Sequence, residues 1–418
     1  MKVIDVKTAA SLKGKYVFLR VDWNVPCHEK GSIPLIAEST RIINTKETLD
    51  FLRLHGARVI VLSHFGRPSV AKKTLKEAVV VGNMLPPDFF SYEDAYSFKP
   101  LVLEIGAILD IPIRYVENIL TSEGRHVLSQ MSDGDVVLCD NVRFFAGEEV
   151  NDDAFAKELA ACADAFVNEA FSCCHRAHAS VEAITHHLPS YAGLALFREV
   201  SYLEQVFVSP KRPVWVIVGG AKVSSKIDLL MHVSQKVDGL IIGGAMANTF
   251  LKAKGFNVGQ SLVEDDHIKT AEAILANAIA EIVLPCDGIA ATCFEDTALI
   301  TVDYAAIPET HSVFDVGEKS CALFAEKLSG ARTIIWNGPV GVFENDRYAG
   351  GSMALAQLLA QLTTKGVLTL AGGGDTLAAL AKADALDKLS YYSTAGGAFL
   401  ESLEGKVLPG VKALINTC

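Results

Sequence analysis

The sequence predicts an α/β protein of two doubly wound parallel-sheet domains joined by a hinge, and three observations carry that prediction. The first is length: 418 residues exceed the roughly 250–300 at which a single core stops growing, so two domains are expected. The second is the recurrence of short, near-continuous apolar runs, the pattern of parallel strands covered on both faces. The third is the grammar between them, in which each run is followed by a polar or glycine-rich loop and then a helical spacing.

Taken in order, YVFLRVD (16–22), ARVIVLSH (57–64), IPIRYVE (111–117), DVVLCDNV (135–142) and DAFVNEA (164–170) are the strands of the first half. Between the first two, TRIINTKETLDFLRLHG (40–56) has Ile42, Ile43, Leu49 and Leu52 at helical spacing and ends on Gly56, a C-capping residue. The second half repeats the alternation with PVWVIVGG (213–220), GLIIGG (239–244), AEIVLPCD (280–287), RTIIWNG (332–338) and GVLTLAGGGD (366–375). The boundary is expected in 187–212, giving a first domain of 1–188 and a second of 189–404, with a tail, 405–418, whose composition assigns it to neither.

Composition narrows the function. Half of the residues are hydrophobic and 21% are charged, the balance of a packed protein and not of a disordered or fibrous one. Lys+Arg number 38 against 49 Asp+Glu, a net charge of −11 spread over both halves. That argues against nucleic acid or an anionic membrane as partner and confines any anion site to a local cluster. No apolar run reaches the roughly 18 residues of a membrane span. The start, MKVIDVKTAASLKGKY, lacks a hydrophobic h-region, so no signal peptide is expected. The nine cysteines follow no framework spacing, and reduced thiols in a cytoplasm are expected.

Ligands of open parallel sheets bind beyond the carboxyl ends of strands. In the first half those ends are RVDWN (20–24), SHFGR (63–67), DNVRF (140–144) and NEAFSCCHRAH (168–178). With Arg41 at a helix start, Arg41, Arg67, Arg143 and Arg176 gather on one rim, with His64, His175 and His178 beside them. Like charges converge only around an anion, and guanidinium forks suit a phosphate plus a carboxylate. The competing reading puts these arginines on separate loops, in ordinary pairs with Asp22, Asp140 or Glu169. CCHRAH also raises zinc, but no CxxC partner follows Cys173 and Cys174 at usable spacing, which favours packed thiols.

In the second half, GGAKVSSK (219–226) follows a strand and opens a helix, presenting amides and two lysines one turn apart, Lys222 and Lys226, to an anion. AGGGDT (371–376) and STAGGA (393–398) are further glycine loops. Glycines let the backbone approach phosphate oxygens, and Asp375 supplies a hard oxygen for Mg²⁺. WNGPVGVFE (336–344) sets a glycine turn before Glu344, an acceptor for ribose hydroxyls. Three such loops with lysines and an acid point to a nucleotide di- or triphosphate; each alone is equally a tight βα turn. Neither a P-loop nor a dinucleotide fingerprint is present.

RVDWNVP (20–26), SHFGRP (63–68), FVNEAFSCCHRAH (166–178), GGAKVSSKI (219–227), IIGGAMANTFL (241–251), WNGPVGVFE, GGGDT and STAGGA, in this order over nearly the whole chain, resemble the phosphoglycerate kinase family. The resemblance implies two Rossmann-like domains with the active site in the interdomain cleft, the tail tending back onto the first domain, and a cytoplasmic monomer. It implies reversible transfer of the acyl phosphate of 1,3-bisphosphoglycerate to MgADP, giving 3-phosphoglycerate and MgATP. Carried over by motif, Asp22, Asn24, Arg41, His64, Arg67, Arg143 and Arg176 would hold the phosphoglycerate. Lys222, Lys226, Asn337, Glu344, Gly373, Gly374, Asp375 and Thr376 would hold the nucleotide and, through Asp375, Mg²⁺. Arg41, Lys226, Gly373, Gly396 and Gly397 would stabilise the transferring group. The alternatives are another acyl-phosphate kinase or a non-catalytic two-domain anion-binding protein. The chain departs from the family pattern at Asp140, Glu169, Glu318 and Ala395, and Cys173 and Cys174 stand at positions that are usually small. Ala395 replaces a glycine within an anion loop, where a positive φ would strain it by about 1 kcal/mol.

Overall fold

A computed structural model describes residues 3–9, 11–30, 33–69 and 89–415. The chain divides into two compact units, Met1–Ser201 with Val407–Cys418, and Tyr202–Lys406. The division falls inside the helix Leu194–Phe207 and not before it at 188, because the opening turn of that helix is bonded into the first unit: the Ala195 and Leu196 amides both donate to Glu169. Part of the tail lies with the first unit, where Val3 bridges Ile415 and the Gly410 amide donates to the Cys174 carbonyl. Cys418 lies outside the described residues.

In the first unit six strands form one parallel sheet: β1 (Tyr16–Arg20), β4 (Arg58–Leu62), β5 (Arg114–Val116), β6 (Val136–Cys139), β7 (Ala165–Asn168) and β8 (Ser190–Ala192). Their order is β5-β6-β4-β1-β7-β8. The chain winds outward from β1 on one side, then returns to its other side with β7. The strand order therefore reverses at β1, the place where such sheets bind ligands. Register sets Arg20 beside Leu62 and Asn168, so the loops after β1, β4 and β7 emerge together. Val17, Leu19, Val59, Val61 and Val167, on these strands, are buried in one core.

The second unit repeats the plan with β9 (Val214–Val218), β10 (Gly239–Ile242), β11 (Glu281–Val283), β15 (Thr333–Asn337), β16 (Leu368–Gly372) and β17 (Tyr391–Ser393), all parallel, in the order β11-β10-β9-β15-β16-β17. The reversal here lies between β9 and β15, and register pairs Val218 with Asn337. The loops that follow these two strands are GGAKVSSK and NGPVG. Trp215, Ile217, Ile241, Ile334 and Trp336 anchor the sheet in the core.

Three expectations are corrected. The run 280–287 is not one strand: β11 stops at Val283, Pro285 withholds a ladder amide, and β12 (Asp287–Ala291) joins a separate antiparallel sheet with β13 (Ile300–Asp303) and β14 (Ser312–Val316). The helix 40–56 is broken into Thr40–Ile43 and Lys46–Leu54, because the Thr45 hydroxyl bonds back to the Ile42 carbonyl at 2.7 Å while accepting the Trp23 indole N–H at 3.1 Å. Lys222 and Lys226 are not one helical turn apart, since that helix begins only at Ile227. A short hairpin, β2 (Cys27–Lys30) with β3 (Ile33–Ile36), and β8 at a sheet edge were not anticipated, whereas β17 ends where STAGGA begins, as expected of a loop at a strand end.

Candidate active site

At the reversal point of the first sheet, the end of β1 supplies three functional side chains in five residues. Arg20 is buried and donates from Nε to the Ser180 hydroxyl at 2.9 Å and from Nη1 to the Val21 carbonyl, while Nη2 lies 3.4 Å from Nδ1 of His64. A guanidinium has no acceptor, so Nδ1 of His64 carries the lone pair and its proton sits on Nε2. Asp22 accepts from Arg41 Nη1 at 2.7 Å and from the Ser172 hydroxyl at 2.5 Å. Asn24 Oδ1 accepts the Gly66 amide at 2.8 Å, tying the loop after β1 to the loop after β4.

Arg143, in the loop after β6, donates to the Gly66 carbonyl at 2.6 Å. Its Nε is buried without a hydrogen-bond partner and lies 3.4 Å from a Glu149 oxygen. Arg20, Arg41 and Arg143 act together on His64, which is pushed well below its ordinary range, first by burial and then by these guanidinium groups. His178 is lowered to about 4, first by burial and then by Arg20, Arg143 and Arg176. Both rings are neutral at pH 7, so the positive charge resides on arginines, which cannot discharge it.

The structure thus brings Asp22, Asn24, Arg41, His64 and Arg143 together. The Arg67 and Arg176 side chains are exposed and show no hydrogen bond or ion pair among the described residues. Ion pairs engage two of the four arginines, Arg41 with Asp22 and Arg143 with Glu149. Of the three acids named as partners, Asp22 alone pairs with one; Asp140 accepts from Ser97, Phe98, Tyr115 and Asn141, and Glu169 from Thr48 and the helix amides. Arg20 was not singled out from sequence, although it opens the RVDWN motif, because a strand-terminal arginine reads as an edge charge until its burial is known.

At the reversal point of the second sheet, Lys226 is the central cation. Its Nζ donates to the Gly219 carbonyl at 2.7 Å and to the Asn337 carbonyl at 3.1 Å, which leaves one of its three N–H groups free. Burial lowers its pKa to about 8, with Asp375 opposing the shift. Asn337 and Thr376 hold the loops to one another: the Asn337 amide donates to the Gly372 carbonyl at 2.8 Å, and Thr376 accepts the Gly338 amide at 2.7 Å. Both side chains are buried and thereby position the site.

Gly373 has φ +98 and opens the helix Gly374–Lys382 without a capping side chain, so the first amides of that helix are left to an anion. Gly374 and Asp375 are exposed there, and the Asp375 carboxylate accepts no hydrogen bond among the described residues. Gly396 has φ +51 ahead of the helix Gly397–Leu403. Ala395 is not among the residues of positive φ, so its substitution for glycine carries no left-handed strain. Lys222 is exposed.

Beside these loops lies a cavity of about 470 Å³, a size typical of small-molecule sites, bordered by Gly220, Gly244, Pro339, Val342, Glu344 and Asp375. Phe294 and Asp315 also line it and were not anticipated. Phe294 sits in the antiparallel insertion that the sequence reading missed. Asp315, a single acid in the apolar strand SVFDV, was the available signal. Burial raises its carboxyl to about 7, although it accepts the Gly351 and Val316 amides. Glu344 and Asp375 face this cavity, while Lys222, Lys226, Asn337, Gly373, Gly374 and Thr376 stand around it without lining it.

Comparisons with known proteins agree along nearly the full length. The family model for phosphoglycerate kinase matches residues 6–406. The phosphoglycerate kinase of Granulibacter bethesdensis is 45% identical over 408 residues, covering 96% of this chain and 97% of its own, and that of Chelativorans sp. is 45% identical over 415 residues, covering 98% of each. The solved phosphoglycerate kinase of Coxiella burnetii superposes with a TM-score of 0.87 at 36% identity, covering 99% of each chain. That of Pyrococcus horikoshii does so with 0.77 at 26% identity, covering 98% of each. On this evidence the chain belongs to the phosphoglycerate kinase family.

Proposed function

We propose that the chain catalyses reversible transfer of the acyl phosphate of 1,3-bisphosphoglycerate to ADP, yielding 3-phosphoglycerate and ATP. One observation carries this reading: each unit gathers, at the reversal point of its own sheet, groups suited to an anion, arginines with neutral imidazoles in one and a lysine, glycine loops and a cavity in the other. The first suits a small phosphorylated carboxylate, with Asp22 taking its hydroxyl and Arg41, Arg67, Arg143 and Arg176 its oxyanions. The second suits a nucleotide, with Glu344 taking ribose hydroxyls and Gly373, Gly374 and Asp375 at the phosphates. No observation favours another acyl-phosphate kinase or a binding protein without catalysis.

Mg²⁺ fits this donor set, since Asp375 offers one uncommitted carboxylate beside loops suited to phosphates, the usual arrangement for an ion held mainly by its nucleotide. When bound it would neutralise and orient the phosphate oxygens. The attacking group belongs to the substrates, so no side-chain nucleophile is required. Arg41 and the free N–H of Lys226 would meet the equatorial oxygens of the transferring group, assisted by the Gly373, Gly396 and Gly397 amides. We further take the enzyme to act as a cytoplasmic monomer, in keeping with its unpaired described cysteines.

The test is ATP formation from MgADP and 1,3-bisphosphoglycerate generated in situ. Wild type should turn over, and Lys226→Ala should lower kcat by orders of magnitude while nucleotide binding persists through the cavity. A folded wild type without turnover would overturn the reading.

A further inference from the structure

Three ligand-bearing side chains from three strand ends converge within the arginine-rich site: Asp22 after β1, His64 after β4 and Cys173 after β7. One ligand atom from each lies within 4.8 Å of the other two, and among the described residues this is the one such grouping of three. Asp22 Oδ1 is 3.8 Å from His64 Nδ1, and Cys173 Sγ is 3.9 Å from the same nitrogen. Tetrahedral zinc, with bonds of about 2.0–2.3 Å, sets its ligands roughly 3.4–3.6 Å apart, so the Asp22 and Cys173 atoms each need to approach Nδ1 of His64 by only a few tenths of an ångström.

We propose that Asp22, His64 and Cys173 form a site for a thiophilic divalent cation, zinc or cobalt, whose occupation excludes the phosphoglycerate. Nδ1 of His64 already carries a lone pair, held against Arg20 by a weak 3.4 Å contact that a metal bond would displace. On binding, the Cys173 thiol gives its proton to solvent. Thiolate and carboxylate together then cancel the charge of the dication, so the bound complex presents no net charge to Arg20, Arg41 and Arg143. Magnesium, a poor partner for sulfur, does not compete for this ligand set. Cys174 is no substitute: its sulfur faces the Ala170 carbonyl and the Asn168 amide.

No partner cysteine follows Cys173 and Cys174 at a zinc-ligand spacing in the sequence. The fold supplies the missing ligands from two other strands instead. Because Asp22 and His64 also belong to the phosphoglycerate site, metal and substrate compete for them, and only this competition rests on the proposed function.

The test uses the full-length chain reduced with a phosphine, without nucleotide. Cobalt(II) should give a thiolate-to-metal absorption band that Cys173→Ser and Cys173→Ala both lose and that added 3-phosphoglycerate removes from wild type. In the kinase assay at excess Mg²⁺, buffered zinc should raise the apparent KM for 3-phosphoglycerate without lowering kcat. The zinc needed should rise at least about tenfold in either variant, the least expected when even an outer-sphere partner of a metal site is worth that much. Absence of the band in wild type, its survival in both variants, or zinc inhibition that lowers kcat alone would overturn the proposal. A cobalt band in a protein without kinase activity would sink the proposed function and leave the metal site standing.

Discussion

Lys226 shows how burial tunes a single charge for the work asked of it. An ammonium among carbonyl oxygens loses hydration, and with its pKa near 8 it discharges in the unliganded protein at mildly alkaline pH. In the proposed nucleotide site, phosphate oxygens would restore its charge. KM for the nucleotide should therefore rise above about pH 8 while kcat holds to higher pH, and Lys226→Arg should abolish that rise because a guanidinium does not titrate there. A pH profile of KM that stays flat through the alkaline limb would remove Lys226 from phosphate binding. The same shift acts on folding with a definite sign: the charged form is disfavoured in the native state, so its cost is full below about pH 8 and fades as pH rises toward the 10.5 of a free lysine. Ala395 makes the opposite point, that a departure from a family pattern can be silent. With φ outside the left-handed region, Ala395→Gly should relieve nothing and should lower stability by about 0.4–1 kcal/mol through the freer unfolded chain. Thermal unfolding with parallel turnover assays checks both halves of that expectation.

Among elements, the helix Leu194–Phe207 depends on a buried acid at its start. Glu169 accepts the Ala195 and Leu196 amides, each at 3.1 Å, and the Thr48 hydroxyl, yet burial outweighs these bonds and raises its pKa to about 7. A raised carboxyl favours the protonated native state, so its contribution is complete below about pH 4.5 and is lost as pH rises through about 7. Glu169→Ala should cost about 1–3 kcal/mol by orphaning these donors, and the stability difference from wild type should shrink across that pH window. A difference that is constant with pH would refute the assignment. Gly338 constrains the opposite sheet: at φ +95, a β-carbon would stand 2.3 Å from the Gly219 carbonyl and 2.6 Å from Lys226 Nζ. Gly338→Ala should lose about 1–3 kcal/mol and weaken nucleotide binding, as thermal unfolding and nucleotide titration would register. These elements also mark what was legible in the sequence. The parallel strands were, because burial on both faces writes a continuous apolar run. The sheet of β12, β13 and β14 was not, because its strands are short and one begins just beyond Pro285, where the apolar run invites a single longer strand. The break at Thr45 was invisible because both halves keep helical spacing, and only the Trp23 indole, distant in sequence, shows why that hydroxyl turns back.

At the scale of the molecule, a net charge of −11 coexists with a concentrated arginine cluster, so attraction for anionic substrates is a local property and not a global one. Position in the fold follows from topology, since both sites stand where strand order reverses, which sequence motifs implied but strand order alone could establish. Chemistry then imposes a condition on the two units. The arginine cluster belongs to the unit containing Met1–Ser201, and Lys226 with its glycine loops to Tyr202–Lys406. A phosphoryl group transfers only when donor and acceptor atoms come within about 3–3.5 Å, and the water between them must leave. On the proposed assignment neither substrate alone would supply contacts on both units, so neither alone should stabilise the reactive arrangement; a ligand shifts a conformational equilibrium only by its differential affinity for the two states. Small-angle scattering should accordingly find the radius of gyration nearly unchanged with 3-phosphoglycerate or nucleotide alone and reduced when both are present. Arg41→Ala should diminish that response while leaving nucleotide binding intact. Full compaction with a single substrate would mean that one site suffices to draw the units together, and the requirement for both would fall.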